Sequence, residues 1–207
     1  MARLTLCDAA WEKKLNISTA AADFEKDDRH HSRYEPTPYA VLERLAASGY
    51  LTSANTLIDY GCGKGRVGFF LNHVLGMRAI GVEYNQEIYA SALQNHERRF
   101  GKKADSSAVS FVCDSAENYE ITDADCFYFF NPFSEKILLS VLGRIMDSFF
   151  ANPRPMLLFF YYPTEEYLDC LMSQSALQLA GEIDCRDLFH NDDPKEKILV
   201  FKIAYEI

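Results

Sequence analysis

The chain has 207 residues, a length suited to one domain around one hydrophobic core, and its 48% apolar content with 15 Phe and 12 Tyr excludes intrinsic disorder. A net charge of −9 excludes broad, nonspecific nucleic-acid binding, which depends on neutralising phosphates. The longest uncharged apolar run, "MLLFFYY" at 156–162, is far below the ~20 residues that span a bilayer, so no membrane segment is expected.

The first residues, "MARLTLCDAAWEKK", acquire acids and lysines before an apolar signal core forms, which predicts a cytoplasmic protein without a secretory signal. Residues 8–16 read as a short helix and 20–38, "AAADFEKDDRHHSRYEPTP", as a charged irregular arm. Tyr39, Leu42, Leu45 and Ala46 recur at helical spacing, so 39–48 is predicted to be a helix ended by Gly49. From there strands and helices alternate. Strands are predicted at Thr56 to Tyr60, Ala79 to Val82, Val109 to Cys113, Cys126 to Phe130 and Met156 to Tyr161. Helices are predicted over 64–75, 86–99, 135–150 and 164–173, with Asn85 and Ser134 at N-cap positions, while 114–124 is too short for a clear helix.

Strands that are apolar throughout are buried on both faces, and alternating strand and helix order implies a mostly parallel sheet with right-handed crossovers: an α/β sandwich. The end departs from that rhythm. "LQLAGEIDCRDL" and "KEKILVFKIAY" flank the polar "FHNDDP" with no helix between them, which predicts an antiparallel hairpin. Residues 39–207 thus form one domain preceded by the helix and arm of 1–38.

The six cysteines, Cys7, Cys62, Cys113, Cys126, Cys170 and Cys185, lack ligand spacing and read as small buried residues in a reducing compartment. His30 and His31 are neighbours without a third ligand, so no metal centre is expected. The basic runs "RHHSR" (29–33) and "ERRFGKK" (97–103) read as solvated charge.

The chemistry concentrates in "LIDYGCGKGRVGFF" at 57–70, where an apolar strand meets a glycine-rich turn that opens a helix. Such a turn brings backbone close to a ligand and aims free amides at it. In an open α/β sheet that ligand sits beyond the carboxyl ends of the strands. Gly63, Gly65 and Gly68 spell the dinucleotide fingerprint, and Glu83 follows Gly63 by twenty residues, where a carboxylate accepts from a ribose diol. An NAD-dependent oxidoreductase fits that much. Asp59, two residues before Gly61, is awkward beside a pyrophosphate and suits an ammonium or sulfonium. Asp114 ends the third strand at the same rim, and the fourth strand runs into "FNPF".

With "DYGCGKG", "GVEYN", "VCDSAE", "NPF" and the terminal hairpin, the chain from about 37 to 207 resembles the class I S-adenosylmethionine-dependent methyltransferases. The resemblance implies a seven-stranded sheet in the order 3-2-1-4-5-7-6, with S-adenosylmethionine as cofactor and S-adenosylhomocysteine as product. It places Asp59, Gly61, Cys62, Gly63 and Gly65 at the methionine and ribose part. Glu83 and Tyr84 fall at the ribose, and Asp114, Ser115 and Ala116 at the adenine. The segment before the first strand folds over the cofactor in similar enzymes, which implicates Tyr34, Thr37 and Tyr39. "NPF" is similar to the [D/N]-P-P-[F/Y] pattern of enzymes that methylate planar nitrogens, with Asn131, Pro132 and Phe133 on the acceptor and cofactor side and Tyr161 or Tyr162 on the same rim. The second proline is missing. The chain is also similar to small bacterial methyltransferases distantly related to histone-lysine methyltransferases, which favours a protein or amino-group acceptor. The expected function is methyl transfer to an acceptor, such as a nitrogen of a protein, RNA or small molecule. The alternatives are the NAD-dependent oxidoreductase and a cofactor-binding domain without chemistry.

Overall fold

The computed structural model describes residues 6–20, 34–101 and 108–204. Seven strands form one sheet in the order β3-β2-β1-β4-β5-β7-β6, which is the implied order. They are β1 Thr56–Tyr60, β2 Arg78–Glu83, β3 Val109–Cys113, β4 Cys126–Phe129, β5 Leu157–Tyr161, β6 Leu177–Asp184 and β7 Lys197–Ile203. Pairs from β3 through β5 are parallel, and β7 runs antiparallel to both β5 and β6. The helices are α1 Leu6–Leu15, α2 Tyr39–Ala47, α3 Arg66–Leu75, α4 Gln86–Phe100, α5 Glu135–Ala151 and α6 Glu165–Ser173.

Side-chain alternation along the strands splits the core into two layers. Leu57, Tyr128 and Phe159 pack with α2 and α3 residues on one face, whereas Ile58, Phe127, Phe129 and Leu158 pack with α5 and α6 on the other. Helix α5 shows how sequence spacing becomes a layer. Leu138, Val141, Leu142 and Ile145 recur three to four residues apart and are all buried, each contributing about 1.5–3 kcal/mol of transfer free energy. Asn85 caps α4 as predicted, accepting from Glu87 N at 2.9 Å and Ile88 N at 3.3 Å. Ser134 occupies the N-cap position of α5 without a side-chain cap bond. Thr164 caps α6 by accepting from Tyr167 N at 3.3 Å.

The structure corrects two readings. Cys113 is exposed because β3 is an edge strand, whereas Cys62, Cys126, Cys170 and Cys185 are buried free thiols. The last four residues of "LQLAGEIDCRDL" are not strand: β6 ends at Asp184, and Arg186–Leu188 forms a 3₁₀ turn. Glu196 O accepts from Cys185 N at 2.9 Å just beyond it. The run "RHHSR" and Lys102 and Lys103 of "ERRFGKK" lie outside the described residues, as does the side chain of Cys7. No helix among the described residues is long and apolar enough to cross a membrane.

Candidate functional site

The turn after β1 is built on three left-handed glycines, Gly61 (φ +69°), Gly63 (φ +58°) and Gly65 (φ +88°), a backbone region that a Cβ makes costly. The protein itself fills the space that their missing side chains leave. A Cβ on Gly61 would collide with Pro132, and one on Gly63 with the ring of Tyr34. One on Gly65 would meet Phe111 at 2.5 Å. The glycines therefore do more than admit a ligand: they let "NPF" and the segment before α2 close directly onto the turn. Gly68 lies inside α3, where a Cβ would sit 3.2 Å from Ala79 Cβ. The third glycine of the fingerprint thus serves helix-to-strand packing.

Beyond the carboxyl ends of β1, β2 and β4 opens a cleft of about 970 Å³, counted out to its mouth. Of the residues singled out in the sequence, Asp59, Gly61, Cys62, Glu83, Tyr84 and Asp114 line it, together with Pro132 and Phe133. Asp59 is 4% exposed, and its Oδ2 has no hydrogen-bond partner among the described residues. Burial first, and the Glu83 carboxylate second, push its carboxyl well above the usual range. Glu83, 5% exposed, accepts from Gly63 N at 3.0 Å and from Asn85 N at 2.9 Å, joining the glycine turn to the start of α4. Asp114 Oδ1 accepts from Ser115 N at 2.7 Å. The Cys62 thiol is raised by burial and then by Asp59 and Glu83, which keeps it a neutral wall rather than a nucleophile.

At the end of β4, Asn131 adopts φ +42° and donates from Nδ2 to the carbonyl of Tyr162 at 2.6 Å; Tyr162 is itself left-handed at φ +49°. Asn131 Oδ1 is enclosed and without a partner among the described residues. Tyr162 donates to Asp193 Oδ2 at 2.6 Å, a bond that pushes its phenol up to about 12. Tyr161 donates to Glu196 Oε2 at 2.6 Å, with its ring against Phe130 at 4.7 Å.

The structure does not bring every expected residue to the cleft. Gly63, Gly65, Ser115, Asn131 and Tyr161 stand behind or beside its lining. Tyr39, expected at the methionine end, is fully buried beneath Arg66, whose guanidinium lies 4.4 Å over its ring, and its hydroxyl donates to Glu12 Oε1 at 2.9 Å. Tyr34 and Thr37 of the covering segment do line the cleft, with Glu35 and Pro36. Thr37 Oγ1 shares a hydrogen bond with Tyr128 OH at 3.1 Å. Tyr34 donates to the carbonyl of Thr19 at 2.7 Å.

Arg66 is the group that sequence reasoning missed. It donates from Nε to Thr19 Oγ1 at 2.6 Å and from Nη1 to the Thr37 carbonyl at 3.0 Å, and pairs with Glu12 and Asp8 at 3.4 Å each. One buried cation thus clasps α1, residue 19 and residue 37 to the first turn of α3. Its only signal was a lone basic residue leading the apolar run "RVGFF". Tyr60, Tyr128 and Phe130 also line the cleft unforeseen, because strand alternation does not say which rim residues face a ligand.

No protein-family model matches the chain, and no curated protein matches it. Solved structures do. One is an RNA methyltransferase from Salinibacter ruber in complex with S-adenosylhomocysteine, 19% identical, with a TM-score of 0.53 over 84% of this chain and 96% of that one. Another is the Pyrococcus abyssi tRNA (uracil-54, C5)-methyltransferase, also in complex with S-adenosylhomocysteine, 15% identical, TM-score 0.55, over 81% of this chain. A third is the mitomycin 7-O-methyltransferase, 14% identical, TM-score 0.55, over 81% of this chain. The fold is that of the class I methyltransferases. The chain spans 38% of the Pyrococcus protein's length and 55% of the mitomycin enzyme's. At these identities the likeness fixes the architecture; the acceptors named for these proteins differ among themselves and belong to them.

Proposed function

We propose that the chain is an S-adenosylmethionine-dependent methyltransferase that delivers the methyl group to a nitrogen of a protein, RNA or small-molecule acceptor. The observation that carries the reading is the unpartnered Oδ2 of Asp59, 96% buried in a cleft beside the glycine turn. A buried carboxylate oxygen of this kind is costly unless a cation meets it, and the amino group of the methionine moiety is such a cation. A dinucleotide fits worse, because its pyrophosphate would face Asp59. The Gly63 amide is also already committed to Glu83 Oε2. These residues therefore fit the methylating cofactor.

Within this reading each side chain has one task. Asp59 holds the ammonium, and Glu83 accepts from the ribose hydroxyls while keeping its two backbone bonds. Asp114 stands at the adenine amino group. The cofactor supplies a methyl group already activated on sulfonium for in-line displacement, so the protein's work is mainly positioning and exclusion of water. Asn131 stands beside the cleft lining with Nδ2 held by the Tyr162 carbonyl, and its enclosed Oδ1, unpartnered among the described residues, is the acceptor assigned here to the target N–H. Pro132 and Phe133 form the wall beside it. The buried free thiols of Cys62, Cys126, Cys170 and Cys185 support a reducing, cytoplasmic setting.

Isothermal titration with S-adenosylhomocysteine and NADH tests the cofactor, and tight binding of NADH alone overturns the proposal. Incubation with tritiated S-adenosylmethionine and protein, RNA and small-molecule fractions tests the transfer. Binding without any labelled fraction would favour a cofactor-binding domain without chemistry.

A further inference from the structure

The charge lining the cleft is one-sided. Among the described residues, the carboxylates of Glu35, Asp59, Glu83 and Asp114 line it against a single cation, Arg66. That cation is spent: it is 3% exposed and pairs with Glu12 and Asp8 behind the lining. Lys64, beside the lining, is 8% exposed and turns its ammonium to the carbonyl of Ala20 at 2.8 Å. Asp59 Oδ2, unpartnered among the described residues and on a side chain 4% exposed, marks the inner cleft independently as a place for a cation.

The cofactor leaves part of this charge unmet. S-adenosylmethionine brings an ammonium and a sulfonium against one carboxylate, while Glu83 and Asp114 meet only neutral hydroxyl and amino groups. Glu35 has no task toward the cofactor, and it is exposed. Glu35 and Asp193 both act electrostatically on Tyr162 and on Glu196. Tyr162 holds Asn131 through its carbonyl, so the three acids set a negative field at the acceptor edge of the cleft. Lys195 is the cation within this group, and it acts on Asp193 and Glu166. Phe130 adds a half-buried aromatic ring to the lining.

We infer that the acceptor is a primary aliphatic amine that enters the cleft as its ammonium cation, drawn in by Glu35. The inference rests on the methyltransferase reading above. Carboxylates beside an aromatic ring attract an alkylammonium by charge and by cation–π interaction. A phosphodiester chain would meet repulsion with no uncommitted basic side chain in the lining to offset it. An ammonium has no lone pair, so it first gives a proton to water at the mouth. The nitrogen lone pair then forms the N–C bond as the S–C bond breaks and its electrons pass to sulfur. The positive charge lost by the sulfonium reappears on the methylated nitrogen, so the field faces a cation before and after transfer.

The test offers tritiated S-adenosylmethionine with poly-L-lysine, with spermidine and with a single-stranded RNA oligonucleotide. Label should enter poly-L-lysine or spermidine, which tells a protein source of the amine from a small-molecule one, and should not enter the RNA. The KM for the labelled amine should rise about fivefold in Glu35→Gln, further in Glu35→Lys, and with added salt in the wild type. Affinity of both variants for S-adenosylhomocysteine should stay within about twofold of wild type in calorimetry. Label in the RNA, label in none of the three probes, or a KM that neither variant moves overturns the inference. Failure of the wild type to bind S-adenosylhomocysteine at all would instead overturn the methyltransferase reading.

Discussion

The backbone amide of Gly63 donates to Oε2 of Glu83 at 3.0 Å, so the glycine turn and the end of β2 form one hydrogen-bonded unit. Because the other carboxylate oxygen holds Asn85 N at 2.9 Å, Glu83 positions both loops that frame the cleft before any ribose arrives. Glu83→Ala should therefore lose stability as well as affinity. The buried Gly63 amide left without an acceptor costs about 1–3 kcal/mol, and the partly exposed Asn85 amide costs less. Urea denaturation should show that loss, and binding of S-adenosylhomocysteine should fall below detection in calorimetry.

Asp59→Asn separates stability from function. The carboxyl of Asp59 is raised in the folded chain by burial and by Glu83, so folding at neutral pH carries the cost of keeping a proton or burying a charge. For an acid whose folded value lies above its unfolded one, stability falls as pH rises past the unfolded value. Removing the charge should thus raise the melting temperature at pH 7, while affinity for S-adenosylhomocysteine drops by about 2–5 kcal/mol. A variant that binds as tightly as wild type would remove Asp59 from the site.

The same carboxyl makes binding pH-dependent. A cation beside Asp59 favours its ionised form and lowers its raised value, so below that value binding expels a proton. Affinity should climb with pH until Asp59 is ionised in the free protein and then level off. Calorimetry in two buffers of different ionisation enthalpy reads the released proton, and in Asp59→Asn the release should vanish.

Asn131→Gly keeps the left-handed backbone at φ +42° and removes only the amide side chain. Cofactor affinity should stay within about twofold of wild type, whereas transfer to a nitrogen acceptor should fall about a hundredfold, the scale seen when one positioned hydrogen-bonding group leaves a reacting centre. Single-turnover methyl transfer measures it, and an unchanged rate would return "NPF" to a packing role.

Arg66→Met strands Glu12 and Asp8 without their buried cation. The expected loss is about 3–5 kcal/mol in denaturant titration. The double variant with Glu12→Gln should recover part of it, because the buried acid that demanded the cation is then neutral. Hydrogen exchange at residues 34–37 should quicken in the single variant, since the Thr37 carbonyl loses its bond from Arg66.

What the sequence by itself determined was the alternation that builds a parallel sheet, the terminal hairpin, and the rim position of Asp59, Glu83 and Asp114. These follow from local rules: apolar runs become buried strands, and a residue ending such a strand lies at its carboxyl edge. Only the tertiary structure decided which neighbours fill the glycines' empty space, and that Tyr39 lies under Arg66 while Tyr60 lines the cleft. Those outcomes depend on pairs remote in sequence, such as Gly61 with Pro132, Gly63 with Tyr34 and Arg66 with Glu12. A period of two or of 3.6 residues specifies the face on which a side chain sits. The partner that face meets is set by how the layers close.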